Sequence, residues 1–320
     1  MKALVTGAAG FIGSHLVEAL IKRDYEVTCL VRKTSDLKWI EHLDIKYIFC
    51  DLADTGSYAD KINDFDYVFH LAGLTKAISE KDFFSANAEN TRRLLQVISD
   101  KNSGIQRFIF LSSLAAVGPS DNGTPVREDA QPNPVSFYGA SKLAGERAVL
   151  EYKNRTPVTI LRPPAVYGPR DTDFFVMFKI IKNGIFPCWG RCCYSLLYIE
   201  DLVNGIILSA EKKEAEGGTF FLSDDMIYTN EDIAGEIASA LGKKTFKIRL
   251  PRSIMPLVAL MSEKIAKKGI INTDRIKDFS YPNWTCDAGK AKKEFGFKSN
   301  ITLREGIKWT ADWYKIHRWL

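Results

Sequence analysis

The chain has 320 residues and a formal net charge of +5, with 46% hydrophobic and 26% charged residues. This length can bury a substantial core in one large or two moderate domains, and the composition is ordinary for a soluble protein. Because Lys and Arg are scattered among Asp and Glu, the small positive excess argues against a nucleic-acid-binding surface. No window reaches a transmembrane length, and no charged leader precedes an apolar signal segment. We therefore expect a cytoplasmic protein without a membrane span.

The six cysteines predict neither a disulfide framework nor a metal site. Cys29 and Cys50 fall in predicted buried strands, where cysteine behaves as a small hydrophobic residue. Cys188, Cys192 and Cys193 are close in sequence, but no further set of Cys and His completes a ligand pattern. We expect reduced thiols and no bound metal.

The first predicted elements indicate a dinucleotide site. Lys2–Thr6 has the pattern of a short apolar strand, Gly7, Gly10 and Gly13 follow, and residues 14–23 have a helical apolar pattern. In this context glycines allow a sharp turn and a close approach of the backbone to a pyrophosphate. The helix N-terminus adds N–H groups and a partial positive charge. The spacing is G-x-x-G-x-x-G rather than the G-x-G-x-x-G of many dehydrogenases.

The end of the second predicted strand indicates which dinucleotide binds. Glu26–Val31 has a strand pattern, and Arg32 and Lys33 follow it. A carboxylate at this point binds the 2′-hydroxyl of NAD, whereas an arginine accommodates the 2′-phosphate of NADP. Since two cations and no carboxylate stand here, we expect NADP, with NAD as the alternative.

Strands and helices alternate as far as residue 164. Further strands are predicted over residues 45–50, 67–71, 107–111 and 158–161, and long helices over 82–100 and 137–152. This alternation predicts a parallel sheet with helices on both faces, and ligands collect outside the carboxyl ends of such strands. Residues at or just past these predicted strand ends are Gly7, Arg32, Asp51, Gly73, Ser113 and Arg162.

The pattern changes after residue 164, where loops with Pro and Gly separate short helices and strands. We expect an α/β protein in which residues 1–164 form a Rossmann-type, doubly wound parallel sheet and residues 195–212 return to it. Residues 165–320 should form mainly a smaller substrate-binding α/β lobe. The stretch Leu250–Ile265 is unusually apolar and could line a hydrophobic substrate cleft, rest on a membrane surface or pack on the core of the lobe.

Tyr138 and Lys142 lie one turn apart in a predicted helix, so their side chains project from one face. A free phenol has a pKa of about 10, and a nearby ammonium group favours the phenolate and lowers that pKa. Because a general acid/base works best with a pKa near the working pH, the pair suits proton transfer at a carbinol oxygen. A shift of roughly 3 units needs about 4 kcal/mol, so we expect a second positive charge nearby.

Together these motifs resemble the extended short-chain dehydrogenase/reductases, the family of NAD-dependent epimerases and dehydratases, over nearly the whole chain. The resemblance implies an enzyme that transfers hydride at a secondary alcohol or ketone carbon. It also implies a homodimer paired through the two long predicted helices. The matching segments are Thr6–Gly13, Asp51–Leu52, His70–Gly73, Asn87 in N-A-E-N-T, Leu111–Gly118, Tyr138–Lys142, Leu161–Pro169 and Asp287–Phe297.

The resemblance also implies individual roles. Tyr138 would be the acid/base, and Lys142 would hold the nicotinamide ribose and lower the tyrosine pKa, with the oxidised nicotinamide as the second positive charge. Ser113 would bond the substrate oxygen, with Ser112 as the neighbouring candidate. The implied cofactor contacts are Gly7, Gly10, Phe11, Ile12, Gly13, Arg32, Lys33, Asp51, Leu52, Leu71, Ala72, Gly73, Asn87, Tyr138, Lys142, Pro163 and Val166.

Two positions depart from the nucleotide-sugar epimerases of the family. Ala165 replaces an asparagine, and Tyr194 replaces an arginine that binds the nucleotide diphosphate. Losing a bidentate phosphate partner argues against the usual diphosphate-sugar mode, although Arg170 or Arg191 could take over. The predicted substrate contacts are Thr75, Ser113, Ala165, Arg170, Arg191 and Tyr194.

Three functions follow from these features. The first is a nucleotide-sugar-type epimerase or dehydratase acting on a small-molecule substrate. The alternative is a net NADP-dependent reductase or dehydrogenase of an apolar hydroxy/keto compound, similar to 3β-hydroxysteroid dehydrogenases or dihydroflavonol reductases. The third is a non-catalytic NADP(H)-sensing protein, which would not need Ser113, Tyr138 and Lys142.

Overall fold

The computed structural model describes residues 1–77, 79–251, 274, 277, 278 and 280–320. Its strands are β1 (Lys2–Thr6), β2 (Glu26–Val31), β3 (Lys46–Phe49), β4 (Tyr67–His70), β5 (Arg107–Leu111), β6 (Val158–Arg162), β7 (Ala165–Tyr167), β8 (Ile185–Cys188), β9 (Cys193–Tyr194), β10 (Leu196–Tyr198), β11 (Thr219–Phe221), β12 (Tyr228–Thr229), β13 (Phe246–Arg249) and β14 (Asn283–Trp284). Its helices are α1 (Phe11–Ile21), α2 (Glu80–Phe84), α3 (Asn90–Lys101), α4 (Phe137–Glu151), α5 (Thr172–Lys182), α6 (Ile199–Glu211), α7 (Asn230–Leu241), α8 (Gly289–Phe295) and α9 (Leu303–Ile316).

Seven strands form one parallel sheet in the order β11–β6–β5–β4–β1–β2–β3. Alternate residues of β1 point to opposite faces: Val5 packs in one apolar cluster with Leu16 of α1, and Leu4 packs in another with Leu94 of α3. A parallel sheet covered on both faces requires such strands, apolar on both sides. The strand order reverses beside β1, and ligands bind in α/β sheets at the crevice that this reversal creates. The predicted Rossmann-type fold is confirmed.

The C-terminal half adds two elements to this sheet. Helix α6 packs near α1, where Arg23 Nη2 donates to Asn204 Oδ1 at 2.9 Å and the Tyr25 hydroxyl donates to Glu211 at 2.7 Å. Strand β11, which no sequence pattern predicted, pairs with β6 at the edge. It is only three residues long, too short for a period-2 pattern to mark it.

The remaining described strands form small sheets: β10 with β7, β12 with β9 and β14, and β13 with β8. Of the apolar stretch 250–265, only Leu250 and Pro251 belong to the described residues, and the rest lies outside them. In the part of the chain that the structure describes, no helix combines the length and apolarity needed to span a bilayer.

The helix predicted over 82–100 is divided in the structure. Helix α2 begins earlier, at a capping box in which the Ser79 hydroxyl and the Asp82 carboxylate accept each other's backbone N–H groups. A π-helical turn over Ser85–Glu89 follows, and α3 begins at Asn90. Such turns insert one residue into a helix and occur frequently at functional sites. Here the turn carries the buried Asn87.

Candidate active site

The turn between β1 and α1 has no room for side chains at two glycines. A Cβ at Gly7, whose φ is +72°, would lie 2.7 Å from the backbone nitrogen of Ala72, and one at Gly13 would lie 2.1 Å from the Gly7 carbonyl oxygen. Helix α1 begins after Gly10 without a side-chain cap. The first N–H groups of this helix have no partner within it and carry a partial positive charge. Groups of this kind bind the pyrophosphate of a dinucleotide. The residues present fit such a cofactor.

The predicted contacts at the ends of β2 and β3 lie on the surface. Arg32 and Lys33 are exposed, and the turn that carries them is closed by the Ser35 hydroxyl, which accepts the Arg32 N–H at 3.2 Å. Asp51 is exposed, and its carboxylate accepts the Ala53 N–H at 2.9 Å. The guanidinium and ammonium groups are therefore open to a ligand at this edge.

Asn87 joins the loop after β4 to α4. Its Oδ1 accepts the Leu74 N–H at 2.7 Å, and its Nδ2 donates to the Leu74 carbonyl and to the Ser141 hydroxyl, both at 2.9 Å. The Ser141 hydroxyl in turn donates to the Tyr138 carbonyl at 2.7 Å. This buried amide fixes the loop containing Gly73 against the helix that carries the candidate acid/base.

The start of α4 is capped from two directions. The Ser136 hydroxyl accepts the Gly139 N–H at 3.3 Å. The buried carboxylate of Asp274 accepts the N–H groups of Phe137 at 2.8 Å and Tyr138 at 3.1 Å. Sequence reasoning missed Asp274, because no local pattern places residue 274 next to residue 138.

Lys142 is buried one turn after Tyr138, as the sequence spacing predicts. Its Nζ donates to the Leu111 carbonyl at 2.5 Å and lies 4.5 Å from the ring centroid of Phe110. Burial lowers the pKa of Lys142 to about 8, and the negative charge of Glu146 opposes that shift. The ammonium form therefore prevails at neutral pH, where it can stabilise a nearby phenolate.

The two neighbouring serines at the end of β5 have different environments. The buried Ser112 hydroxyl donates to Glu146 Oε1 at 2.5 Å. The Ser113 hydroxyl is half-buried and accepts the Ala115 N–H at 3.2 Å, which leaves its own hydrogen to donate. Ser113 is therefore the better placed of the two to donate to a ligand.

A buried ion pair lies beneath these serines. Arg162, the last residue of β6, donates from Nε and Nη2 to Glu146 at 2.8 and 2.6 Å, and the side chains are 8% and 3% exposed. The pair joins α4 to the ends of β5 and β6. Glu146 lies one turn after Lys142, a spacing visible in the sequence, although nothing in the sequence shows that it meets Arg162.

Two of the predicted substrate contacts, Thr75 and Ala165, are exposed at the carboxyl edge of the sheet. Tyr194 lies on β9 in register with Tyr228 on one side and Trp284 on the other. Arg170 lies against α1, where it donates to Ser14 and Glu18. Pro163 is buried and Val166 half-buried at the same edge, on either side of the Ala165 position.

A cavity of about 340 Å³ opens beside the exposed Arg191. Its wall also contains Trp189 and the exposed Arg249, together with Lys247, whose Nζ is paired with Glu231 at 2.6 Å. A cavity lined by an indole ring and guanidinium groups is suited to an anionic ligand with a planar part. The remaining lining residues are Cys188, Gly190 and Leu250.

Within the described ranges, no group of three His, Cys, Asp or Glu side chains could hold a metal ion. The six cysteines all belong to the described residues, and none of them forms a disulfide bond.

The fold and site define a class: Rossmann-type dinucleotide-binding proteins with a tyrosine–lysine pair beside the crevice. The protein-family model described as "NAD dependent epimerase/dehydratase family" matches residues 3–222. The chain belongs to that family, and the predictions of the family and of an enzyme are confirmed.

Named relatives of the chain have different substrates. A ceramide reductase from Caulobacter vibrioides is 28% identical over 99% of this chain and 95% of that protein. A UDP-glucose 4-epimerase from Vibrio cholerae is 27% identical over 96% of this chain and 94% of that protein. Among solved structures, UDP-glucuronic acid 4-epimerase from Bacillus cereus in complex with NAD has a TM-score of 0.79 and 26% identity over 99% of both chains.

Proposed function

We propose that the protein catalyses NAD(P)-dependent hydride transfer at a secondary alcohol or ketone carbon, with Tyr138 as the acid/base. The observation that supports this most is the buried Lys142 ammonium, fixed on the Leu111 carbonyl one turn from Tyr138. The glycine turn and α1 would hold the cofactor pyrophosphate, and Arg32 and Lys33 favour NADP over NAD. When bound, the nicotinamide supplies the hydride acceptor or donor.

The chain's own residues would move the proton and position the substrate. The Tyr138 phenolate takes the proton of a carbinol during oxidation, and the phenol returns it to the oxygen during reduction. The positive charge of Lys142 stabilises the phenolate. The Ser113 hydroxyl donates to the substrate oxygen, while Ser112 is held by Glu146.

For the substrate, a nucleotide-sugar-type compound is the first candidate. Tyr194 cannot replace a bidentate phosphate partner, but Arg191 and Arg249 stand beside Trp189 in one cavity of the same lobe. Guanidinium groups bind phosphate oxygens in pairs, and the indole offers a surface for a planar base. The Vibrio cholerae relative acts on a compound of this class according to its name.

A net reductase of an apolar hydroxy/keto compound is the second candidate. Tyr194 stands between Tyr228 and Trp284 in register, so an aromatic row occupies the position where the resemblance gives the nucleotide-sugar epimerases a phosphate-binding arginine. The Caulobacter vibrioides relative, a ceramide reductase by name, points to the same class. An aromatic row favours contact with apolar substrate surface.

The experiment combines cofactor identification with a substrate panel. Native mass spectrometry of the purified protein identifies any retained nucleotide. UDP-sugars and long-chain 3-hydroxy or 3-keto compounds are then tested by absorbance at 340 nm and by chromatography of products. Product without net cofactor turnover supports the epimerase, and stoichiometric oxidation of NADPH supports the reductase. Unchanged activity of Tyr138→Phe on the accepted substrate would overturn the mechanism.

For assembly, we propose a homodimer paired through α3 and α4. Leu150, near the end of α4, is 40% exposed, as an apolar contact residue of such a surface would be in an isolated chain. Light scattering during size-exclusion chromatography measures the mass, and Leu150→Glu should lower it to that of a monomer.

A further inference from the structure

The segment Pro169–Asp173, which leads from β7 into the first turn of α5, is bonded to the helix that follows the glycine turn. His15 Nε2 lies 3.0 Å from the Pro169 carbonyl oxygen. Arg170 donates from Nη1 to the Ser14 hydroxyl at 3.1 Å and from Nη2 to Glu18 at 2.6 Å. These contacts place residues 169 and 170 against the first two turns of α1.

The same segment reaches the loop after β4 at its other end. Asp173 Oδ1 and Lys76 Nζ form an ion pair of 2.6 Å, and Lys76 is three residues beyond Gly73. The start of this loop packs on the glycine turn, since a Cβ at Gly7 would meet the backbone of Leu71 and Ala72. Residues 169–173 therefore connect the two elements that flank the dinucleotide turn.

The segment is held rigidly in this position. Arg170 has a φ of +72°, a left-handed conformation that a non-glycine residue keeps only where its surroundings enforce it. Its guanidinium group also lies 5.0 Å from the ring centroid of Trp39. Asp171 caps α5, and its carbonyl accepts the Tyr314 hydroxyl at 2.6 Å, which anchors the segment to α9.

We infer that residues 169–173 form a clasp across the cofactor crevice, in which Lys76 and Arg170 are positioning residues that slow dinucleotide release. The inference rests on the proposed cofactor site. Both ion pairs are partly shielded from water: the side chains are 13% and 25% exposed in Arg170–Glu18, and 31% and 32% in Lys76–Asp173. A partly exposed pair contributes about 1 kcal/mol at most, which corresponds to about a fivefold change in a rate or equilibrium.

The test measures cofactor release. The full-length protein is loaded with NADPH, mixed in a stopped-flow instrument with excess NADP⁺, and followed by NADPH fluorescence. Lys76→Gln should raise the dissociation rate about fivefold, while the association rate changes by less than about twofold. Lys2→Gln is the matched control, because it makes the same substitution in an exposed ion pair with Asp64, at the amino-terminal edge of the sheet and away from the cofactor crevice. It should leave both rates unchanged.

A variant in which the two charges are exchanged tests whether faster release comes from the lost ion pair or from a general loss of structure. In the doubly substituted Lys76→Asp/Asp173→Lys, the ion pair is restored with reversed polarity, so release should return to within about twofold of the wild-type rate. Unchanged release in Lys76→Gln, or release that stays fast in the exchange variant, overturns the clasp. Wild-type protein that binds neither NADPH nor NADH overturns the proposed function and the clasp with it. Normal binding with unaltered release overturns the clasp alone.

Discussion

The carboxylate of Asp274 accepts the backbone N–H of Tyr138 at 3.1 Å, although 136 residues separate the two along the chain. The same carboxylate accepts the N–H of Phe137 at 2.8 Å. The first N–H groups of a helix have no partner within it, and a negative charge at this end also interacts favourably with the helix dipole. A residue from the C-terminal part of the chain thereby fixes the turn that carries the proposed acid/base.

Asp274→Asn should lower turnover about tenfold, because an acid/base displaced by a fraction of an ångström transfers its proton poorly. Ser136→Ala is the control: it removes a cap from the same helix start, at Gly139, and costs about 1 kcal/mol. Turnover and the free energy of unfolding are measured for both variants. Equal turnover in two equally destabilised variants would mean that Asp274 acts on stability alone.

Removing Glu146 should be far more damaging than removing an exposed carboxylate of the same helix. Glu146→Ala leaves the Arg162 guanidinium charged and buried without its partner, which costs about 3–5 kcal/mol. Glu151→Ala removes the partner of Arg92 at the surface and should cost about 1 kcal/mol or less. Urea unfolding monitored by circular dichroism gives both values. Similar losses in the two variants would contradict the importance of the buried pair.

Lys142 should make activity and stability change in opposite directions at alkaline pH. Burial lowers its pKa from 10.5 to about 8, so its charge and the support for the phenolate are lost as the pH rises through about 8. Between about 8 and 10.5 the unfolded chain holds a proton that the folded chain has released, and stability then rises with pH. Comparing wild type with Lys142→Met at pH 7.5 and 9.5 isolates this contribution. Wild-type stability that falls relative to the variant would refute the burial argument.

His70 should weaken the fold in acid. It is buried between the hydroxyls of Thr6 at 2.7 Å and Thr91 at 2.9 Å, and burial, with a smaller effect from Lys142, lowers its pKa from 6.5 to about 3. Below pH 6.5 the unfolded chain binds a proton that the folded chain excludes, so stability falls by about 1.4 kcal/mol per pH unit. His70→Gln removes the titration. Between pH 7 and pH 5 the free energy of unfolding, measured with urea, should fall by about 2 kcal/mol less in the variant than in wild type. An equal decrease in both proteins would contradict the prediction.

Arg32→Ala should discriminate between the two dinucleotides. An arginine–phosphate contact contributes about 1.5–3 kcal/mol, so NADPH binding should weaken about tenfold or more. NADH has no 2′-phosphate, and its affinity should change little. Fluorescence titration with both cofactors gives the ratio of the two affinities, and Lys2→Gln again provides a variant with an equal loss of charge. An equal loss of affinity for NADPH and NADH would argue against the interpretation of this turn.

The residues predicted from the sequence are those whose geometry is local. The glycine turn follows from a strand, three glycines and a helix in order, and the placement of Tyr138 and Lys142 follows from their spacing of one helical turn. Asp274, by contrast, reaches Tyr138 only through the packing of segments 136 residues apart. The sequence likewise leaves Ser112 as a candidate beside Ser113 for the bond to the substrate oxygen. The structure distinguishes the two serines, because the Ser112 hydroxyl is bonded to the buried Glu146, which lies on another element.

The π-helical turn at Ser85–Glu89 has a consequence for the length of this segment. Each residue of a helix turns the chain by about 100°, so deleting one residue here would rotate everything before it against α3. Phe83, whose ring centroid lies 6.2 Å from that of Tyr138, would leave the aromatic contact, and the Asn87 amide would leave Leu74. The additional residue thus sets the rotation of α2 relative to α3, so that Phe83 can contact Tyr138 while Asn87 bonds Leu74. A substitution at an exposed position of the turn, such as Glu89, is compatible with that arrangement, whereas a change in its number of residues is not.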